Sequence, residues 1–173
     1  LLLPVIVQAI EERGLPMELA MVPLVESALN CHAQSVVAAT GCWQFMHGTA
    51  KDQKLVVSAL VDQRRDLLKS TDAALDYLQS LHQQTQDWHL AMAAYNWGIG
   101  RVLRLRDAAR ARGEDASFAN LAARMPEETR NYVPQIEALK RLIAQADPDD
   151  LPEVPNQALV QTVPLTRDID LAL

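Results

Sequence analysis

The stretch Leu19-Ala20-Met21-Val22-Pro23-Leu24-Val25-Glu26-Ser27-Ala28-Leu29-Asn30 carries the first clue to the fold and the first clue to chemistry. Leu19, Val22, Val25 and Leu29 recur at i, i+3 and i+4 spacing, which predicts a helix with one apolar face. Pro23 lies inside that run. Lacking an N–H and crowding the preceding turn, it is expected to bend the helix or shift its true start. Glu26 is the one formally charged residue between Glu18 and Lys51. A carboxylate among Leu24, Val25, Ala28 and Leu29 loses hydration, so its charged form is disfavoured and its pKa should rise. A glutamate still protonated near neutral pH can serve as a general acid. The structural alternative is a solvent-facing Glu26, or one neutralised by a partner such as Arg130.

Outward from this run the pattern stays helical. Residues 1–13 read as a helix stopped by Gly14, and Pro16 suits the first turn of the next. Residues 30–42 have small side chains and no strong period, and read as a loop. A short helix is expected from Trp43 to about Asp52, then an irregular stretch to Lys69. Ser70 reads as an N-cap for a helix through Ala74, Leu75, Leu78 and Leu81. Residues 88–96 are rich in Ala and Leu and read as a buried helix ended by Gly98 and Gly100. Helices near 100–112 and 127–146 follow, the second after Pro126. No strand pattern precedes residue 150, so an all-α domain over residues 1–146 is expected. Residues 147–173, with Pro148, Pro152, Pro155 and Pro164, read as an acidic tail or linker. Leu159, Val160 and Val163 are the residues through which it would pack back on the body.

Composition narrows the function classes. The 173 residues, 49% hydrophobic and 22% charged, fit one folded domain with a real core. The apolar start, Leu1 to Val7, is broken by Pro4 and far shorter than a membrane span. The chain starts without Met, so a fragment or processed form is expected, with any targeting segment or membrane attachment outside it. Of the net charge of −6, residues 147–173 carry −5, leaving a nearly neutral body. No nucleic-acid partner is expected, because that needs a concentrated basic surface. Arg101, Arg104, Arg106, Arg110 and Arg112 read as a solvated helix face, with attraction to an anionic polymer as the functional alternative. Cys31 and Cys42 read as small buried thiols, or as a disulfide if the protein is exported to an oxidising compartment. A zinc site from Cys31, His32, Cys42 and His47 is disfavoured, since Cys31 and His32 are adjacent rather than spaced. No phosphate-cradling or calcium-binding loop is present, and neither a cofactor nor a metal is expected.

Three clusters join Glu26-Ser27: Gly41-Cys42-Trp43-Gln44, Ala94-Tyr95-Asn96-Trp97-Gly98 and Glu128-Thr129-Arg130-Asn131-Tyr132-Val133. Together they suggest a carbohydrate-cleaving site. Glycoside hydrolysis ordinarily uses two carboxylates, yet the next acid after Glu26 is Asp52. A single acid suffices when the substrate supplies its own nucleophile, which hints at an amino sugar. Trp43, Tyr95, Trp97 and Tyr132 are core aromatics or sugar-stacking groups. Gln44 and Asn96 cap loops or bind substrate. Glu128 is a helix-start carboxylate or a groove-lining one. Trp88 lies outside any motif and reads as core.

In this order the clusters resemble the catalytic domain of family 1 lytic transglycosylases, the soluble-lytic-transglycosylase type, and most nearly its membrane-bound D branch, over residues 12 to 144. Glu26-Ser27 matches the family's Glu-Ser motif. Gly41-Cys42-Trp43-Gln44-Phe45-Met46 is similar to its Gly-Leu-Met/Trp-Gln motif. Ala94 to Gly98 matches Ala-Tyr-Asn-x-Gly, and Glu128 to Val133 matches Glu-Thr-x-x-Tyr-Val. Cys31, Cys42 and His47 depart from the pattern, at loop positions. The resemblance implies a lysozyme-like helical fold and a bacterial periplasmic or cell-envelope location, with outer-membrane association as one form of it. It also implies cleavage of the β-1,4 bond between N-acetylmuramic acid and N-acetylglucosamine in peptidoglycan glycan strands, with closure of a 1,6-anhydro ring. Glu26 is then the catalytic residue. Ser27, Ser35, Trp43, Gln44, Met46, Tyr95, Asn96, Glu128 and Tyr132 are the implied substrate-binding residues. A goose-type lysozyme-like hydrolase and a non-catalytic peptidoglycan-binding module remain the alternatives.

Overall fold

The computed structural model describes residues 2–146, and among them the architecture is all-α: eight α-helices, with β pairing limited to isolated bridges. The tail expected over 147–173 lies outside the described residues. Helix α1 (Leu3–Glu12) stops before Gly14, as its sequence suggests. Pro23 does shift the start of the next helix. Met17–Met21 winds as a 3-10 turn, and α2 (Val22–Ser27) carries Pro23 in its first turn, where the missing N–H costs no bond. Two consecutive left-handed residues, Ala28 (φ 51°) and Leu29 (φ 61°), end α2. Their N–H groups return to Leu24 O at 2.9 Å and Pro23 O at 3.1 Å. This closure satisfies orphan carbonyls and leaves Glu26 on the last turn.

Two boundaries differ from the sequence reading. The helix expected from Trp43 starts only at α3 (His47–Asp52), because Trp43–Met46 forms a turn with Gln44 at φ 48°. Ser70 is not an N-cap. Asp66 caps α4 (Leu67–Thr85), accepting from Lys69 N at 2.9 Å, while the Ser70 hydroxyl, buried in the first turn, donates to Asp66 O at 2.6 Å. Aspartate outcompetes serine here because it sits one residue before the apolar period begins.

Asp87 caps α5 (Trp88–Trp97) through Leu90 N at 3.1 Å. Helices α6 (Ile99–Ala111), α7 (Phe118–Leu121) and α8 (Glu127–Gln145) complete the body. The four-residue α7 and the 3-10 turn after it are too short to show a period, and sequence reading missed them. Helix α5 is the hub. Leu90 to Ala94 are all buried, and α4, α6 and α8 pack around it. A helix apolar on every side belongs inside, and its alanines let neighbours approach closely.

Two side-chain expectations change. Arg106 is not part of a solvated face: it is buried, and Nη1 donates to Gln84 O at 2.6 Å, satisfying the C-terminal end of α4. Cys31 and Cys42 are not free thiols but a disulfide. Among the described residues no His, Cys, Asp and Glu group could hold a metal. Trp88 is half-buried and stacks on His82, with ring centroids 4.0 Å apart.

Candidate active site

The four motifs converge on a groove of about 740 Å³. Val25 and Glu26 from α2 form its floor, Ser35, Val37, Ala39, Gln44 and Met46 one wall. Tyr95 and Asn96 of α5, with Glu127, Glu128, Asn131, Tyr132 and Gln135 of α8, form the other. Among the described residues no Lys, Arg or His lines it. Arg130 is exposed and makes no ion pair with Glu26 among the described residues, so that structural reading of the glutamate fails.

Glu26 Oε1 accepts a 2.5 Å hydrogen bond from the Tyr132 hydroxyl. Burial raises the Glu26 pKa, the Tyr132 hydrogen bond pulls it down, and the nearby Glu128 charge pushes it up. The balance stands at about 7. Desolvation wins. Burial likewise holds the phenols of Tyr95 and Tyr132 well above their ordinary range, so both stay protonated donors. The Tyr95 hydroxyl donates to Trp43 O at 2.8 Å, tying α5 to the turn beneath the loop wall.

On the helix wall, the Thr129 hydroxyl donates to Asn96 Oδ1 at 2.7 Å, and Asn96 Nδ2 donates to Glu128 Oε1 at 3.1 Å. Thr129 thus orients the Asn96 amide, with its N–H groups toward Glu128 and the groove. Glu127 and Glu128 occupy the first turn of α8, where the helix dipole favours negative charge. Glu26 is therefore not the only carboxylate in the groove. Glu128 lies about a hundred residues from Glu26 along the chain and is brought into the same groove by the packing of α8 on α2 and α5.

The implied binding residues divide. Ser35, Gln44, Met46, Tyr95, Asn96, Glu128 and Tyr132 line the groove. Trp43 does not: its indole is fully buried and Nε1 donates to Thr71 Oγ1 at 3.0 Å, so it is a core residue. Ser27 does not line it either. Its hydroxyl donates to Cys42 O at 2.9 Å and joins the Glu26 segment to the loop wall. Sequence reading missed Arg64, which is buried beneath that wall. Its guanidinium forks onto Asp62, with Nε to Oδ1 at 2.9 Å and Nη2 to Oδ2 at 2.8 Å, while Nη1 donates to Ala38 O and Phe45 O, each at 3.1 Å. The only available signal was an Asp-x-Arg spacing in an irregular stretch.

A family model described as Transglycosylase SLT domain matches residues 4–118, and the chain belongs to that family. Membrane-bound lytic murein transglycosylase D of Escherichia coli strain K12 is 40% identical over 135 residues, which are 78% of this chain and 29% of that protein. A putative tributyltin chloride resistance protein of Alteromonas sp. strain M-1 is 46% identical over 100 residues, 57% of this chain and 48% of the relative. An inactive mutant of the lytic transglycosylase Slt from Pseudomonas aeruginosa superposes with a TM-score of 0.65 at 29% identity, covering 81% of this chain and 23% of that one. The lysozyme-like helical fold expected from the motifs is thus present. The chain spans under half the length of the relatives it matches.

Proposed function

We propose that this domain cleaves peptidoglycan glycan strands as a lytic transglycosylase, breaking the β-1,4 bond between N-acetylmuramic acid and N-acetylglucosamine without water. The observation that carries the reading is Glu26, half-buried on the groove floor with a pKa near 7 and a phenol at 2.5 Å. At that pKa the carboxyl is available both as acid and, once ionised, as base near neutral pH. As acid, Glu26 protonates the departing glycosidic oxygen. As carboxylate, steadied by the Tyr132 O–H, it removes the proton from the muramic C6 hydroxyl, which closes the 1,6-anhydro ring.

Seven groove residues (Ser35, Gln44, Met46, Tyr95, Asn96, Glu128 and Tyr132) act as the substrate-contacting set. Residues 1–146 are the catalytic unit and 147–173 a connector. The Cys31–Cys42 disulfide supports an oxidising, extracytoplasmic setting in the bacterial envelope. No helix among the described residues is long and apolar enough to cross a membrane.

A hydrolytic reading, like that of a goose-type lysozyme, is favoured by one observation: Glu128 in the same groove is a second carboxylate that would activate water. Digestion of purified sacculi followed by mass spectrometry separates the two. Anhydro-muramic ends support the transglycosylase, reducing ends overturn it in favour of the hydrolase, and binding without cleavage leaves a glycan-binding module.

A further inference from the structure

The loop wall of the groove, residues 30–46, contains no helix and no strand, only short bridges between Gln34 and Thr40 and between Thr40 and Phe45. It nevertheless supplies five groove-lining side chains, among them Ser35, Gln44 and Met46. Two attachments hold it. The Cys31–Cys42 disulfide closes the loop over an eleven-residue separation, and Cys42 O receives the Ser27 hydroxyl from the turn that carries Glu26. Arg64 reaches from outside the loop and grips it at Ala38 O and Phe45 O, on either side of the disulfide-bonded Cys42. Gly41 lets the two come together: a Cβ there would stand 1.8 Å from Arg64 O.

We propose that the Cys31–Cys42 disulfide and Arg64 are positioning groups for glycan binding, holding the loop wall at the spacing from α8 that a sugar strand requires. The inference rests on the proposed substrate. Neither group touches the Glu26–Tyr132 pair, so each acts on affinity and not on the proton transfers. A wall already ordered in the free protein loses little freedom when substrate arrives, whereas a released one must be ordered at the expense of binding. Loss of uniform binding shows as a raised half-saturation with little change in kcat.

The test uses soluble, uncrosslinked glycan strands with the oxidised protein, the Cys31→Ser/Cys42→Ser double variant and Arg64→Lys. Lysine keeps the charge opposite Asp62 but cannot hold Asp62 with a fork and donate to both carbonyls at once. The expected result is a half-saturating concentration raised about tenfold, with kcat within about threefold of the parent and an unchanged pH profile. Should a variant fail to fold, the oxidised protein treated with a dithiol replaces it. Two electrons and two protons pass to the Cys31 and Cys42 sulfurs, the S–S bond breaks, and the dithiol closes to its own cyclic disulfide. Unchanged half-saturation in a folded, disulfide-free protein overturns the inference, as does a loss of kcat that tracks loss of helical signal. If the oxidised protein does not cleave, the proposed function fails, and titration of the same strands decides the inference: affinity must still fall in the variants. A parent that neither cleaves nor binds removes both.

Discussion

The two walls of the groove are built by opposite means. The α8 wall presents Glu128, Asn131, Tyr132 and Gln135 from a helix whose backbone ladder drops a bond at Pro134, and each side chain is placed by periodicity. The loop wall has no such ladder. Its backbone groups are met by a buried guanidinium, by the Ser27 hydroxyl and by short internal bridges, and several residues take left-handed angles, including Ala38 (φ 65°) and Gln44 (φ 48°). Substitution on the helix wall should therefore change chemistry with little effect on stability. Substitution in the loop wall should affect stability or affinity first. Between the walls, on the floor, lies the one group on which both depend.

The largest effect is expected there. Glu26→Gln should reduce glycan cleavage by about 10²–10⁴-fold, since the amide keeps the shape but moves no proton. Retention of more than about a tenth of parental turnover would remove Glu26 from the mechanism. The same variant has an opposite effect on stability. In the folded protein the pKa stands near 7 against an ordinary 4.5, so between those pH values the unfolded chain ionises while the folded one stays protonated. Stability is lost as pH rises through that window, by up to about 3 kcal/mol. Glu26→Gln should thus melt higher than the parent at pH 8 and no higher at pH 4. Equal melting temperatures at pH 8 would mean that the carboxyl is better solvated than its surroundings suggest.

Next comes a pure loop-wall change. Gly41→Ala places a Cβ against Arg64 O at a position with φ 89°, so it should cost at least about 2 kcal/mol, or roughly 4–8 °C in Tm. Gln135→Ala, an exposed helix-wall change, should stay within about 0.5 kcal/mol. Similar melting curves for the two would dissolve the contrast between the walls.

Tyr132→Phe removes the donor that stabilises the ionised acid. Turnover near neutral pH should fall about tenfold, and the Glu26 limb of the pH profile should move upward, because the lost hydrogen bond had lowered that pKa. A downward shift contradicts the assigned role.

The smallest effect is expected for Glu128→Gln. It removes a neighbouring negative charge, so the Glu26 limb should move downward, with turnover within about tenfold of the parent. A loss as deep as that of Glu26→Gln, together with reducing ends in the product, would make Glu128 a base for water.

Most of the helix wall is legible in the sequence. Pro126 followed by Glu127 and Glu128 marks a helix start, and the Glu-Thr-Arg-Asn-Tyr-Val motif names its groove residues. Helix α4 is plain in its apolar period, though not in its start, and α5 in its run of Ala and Leu. The loop wall is not, because nothing local states where its backbone bonds go. Trp43 shows the limit well: the motif places it beside Gln44, yet the turn at Gln44 sends the indole into the core and only Gln44 into the groove.

By itself the sequence determined an all-α domain over the described residues and one glutamate without charged neighbours along the chain, because apolar periodicity and the lack of nearby charge are local properties. Its ordered motifs pointed to the right family. Only the tertiary structure decided that Tyr132 meets Glu26, that Asn96 bonds Glu128, that Cys31 and Cys42 are joined, and that Arg64 holds the wall opposite. Each of those is a meeting of residues from separate segments. Burial, which sets the Glu26 pKa near 7, is itself a product of how those segments pack.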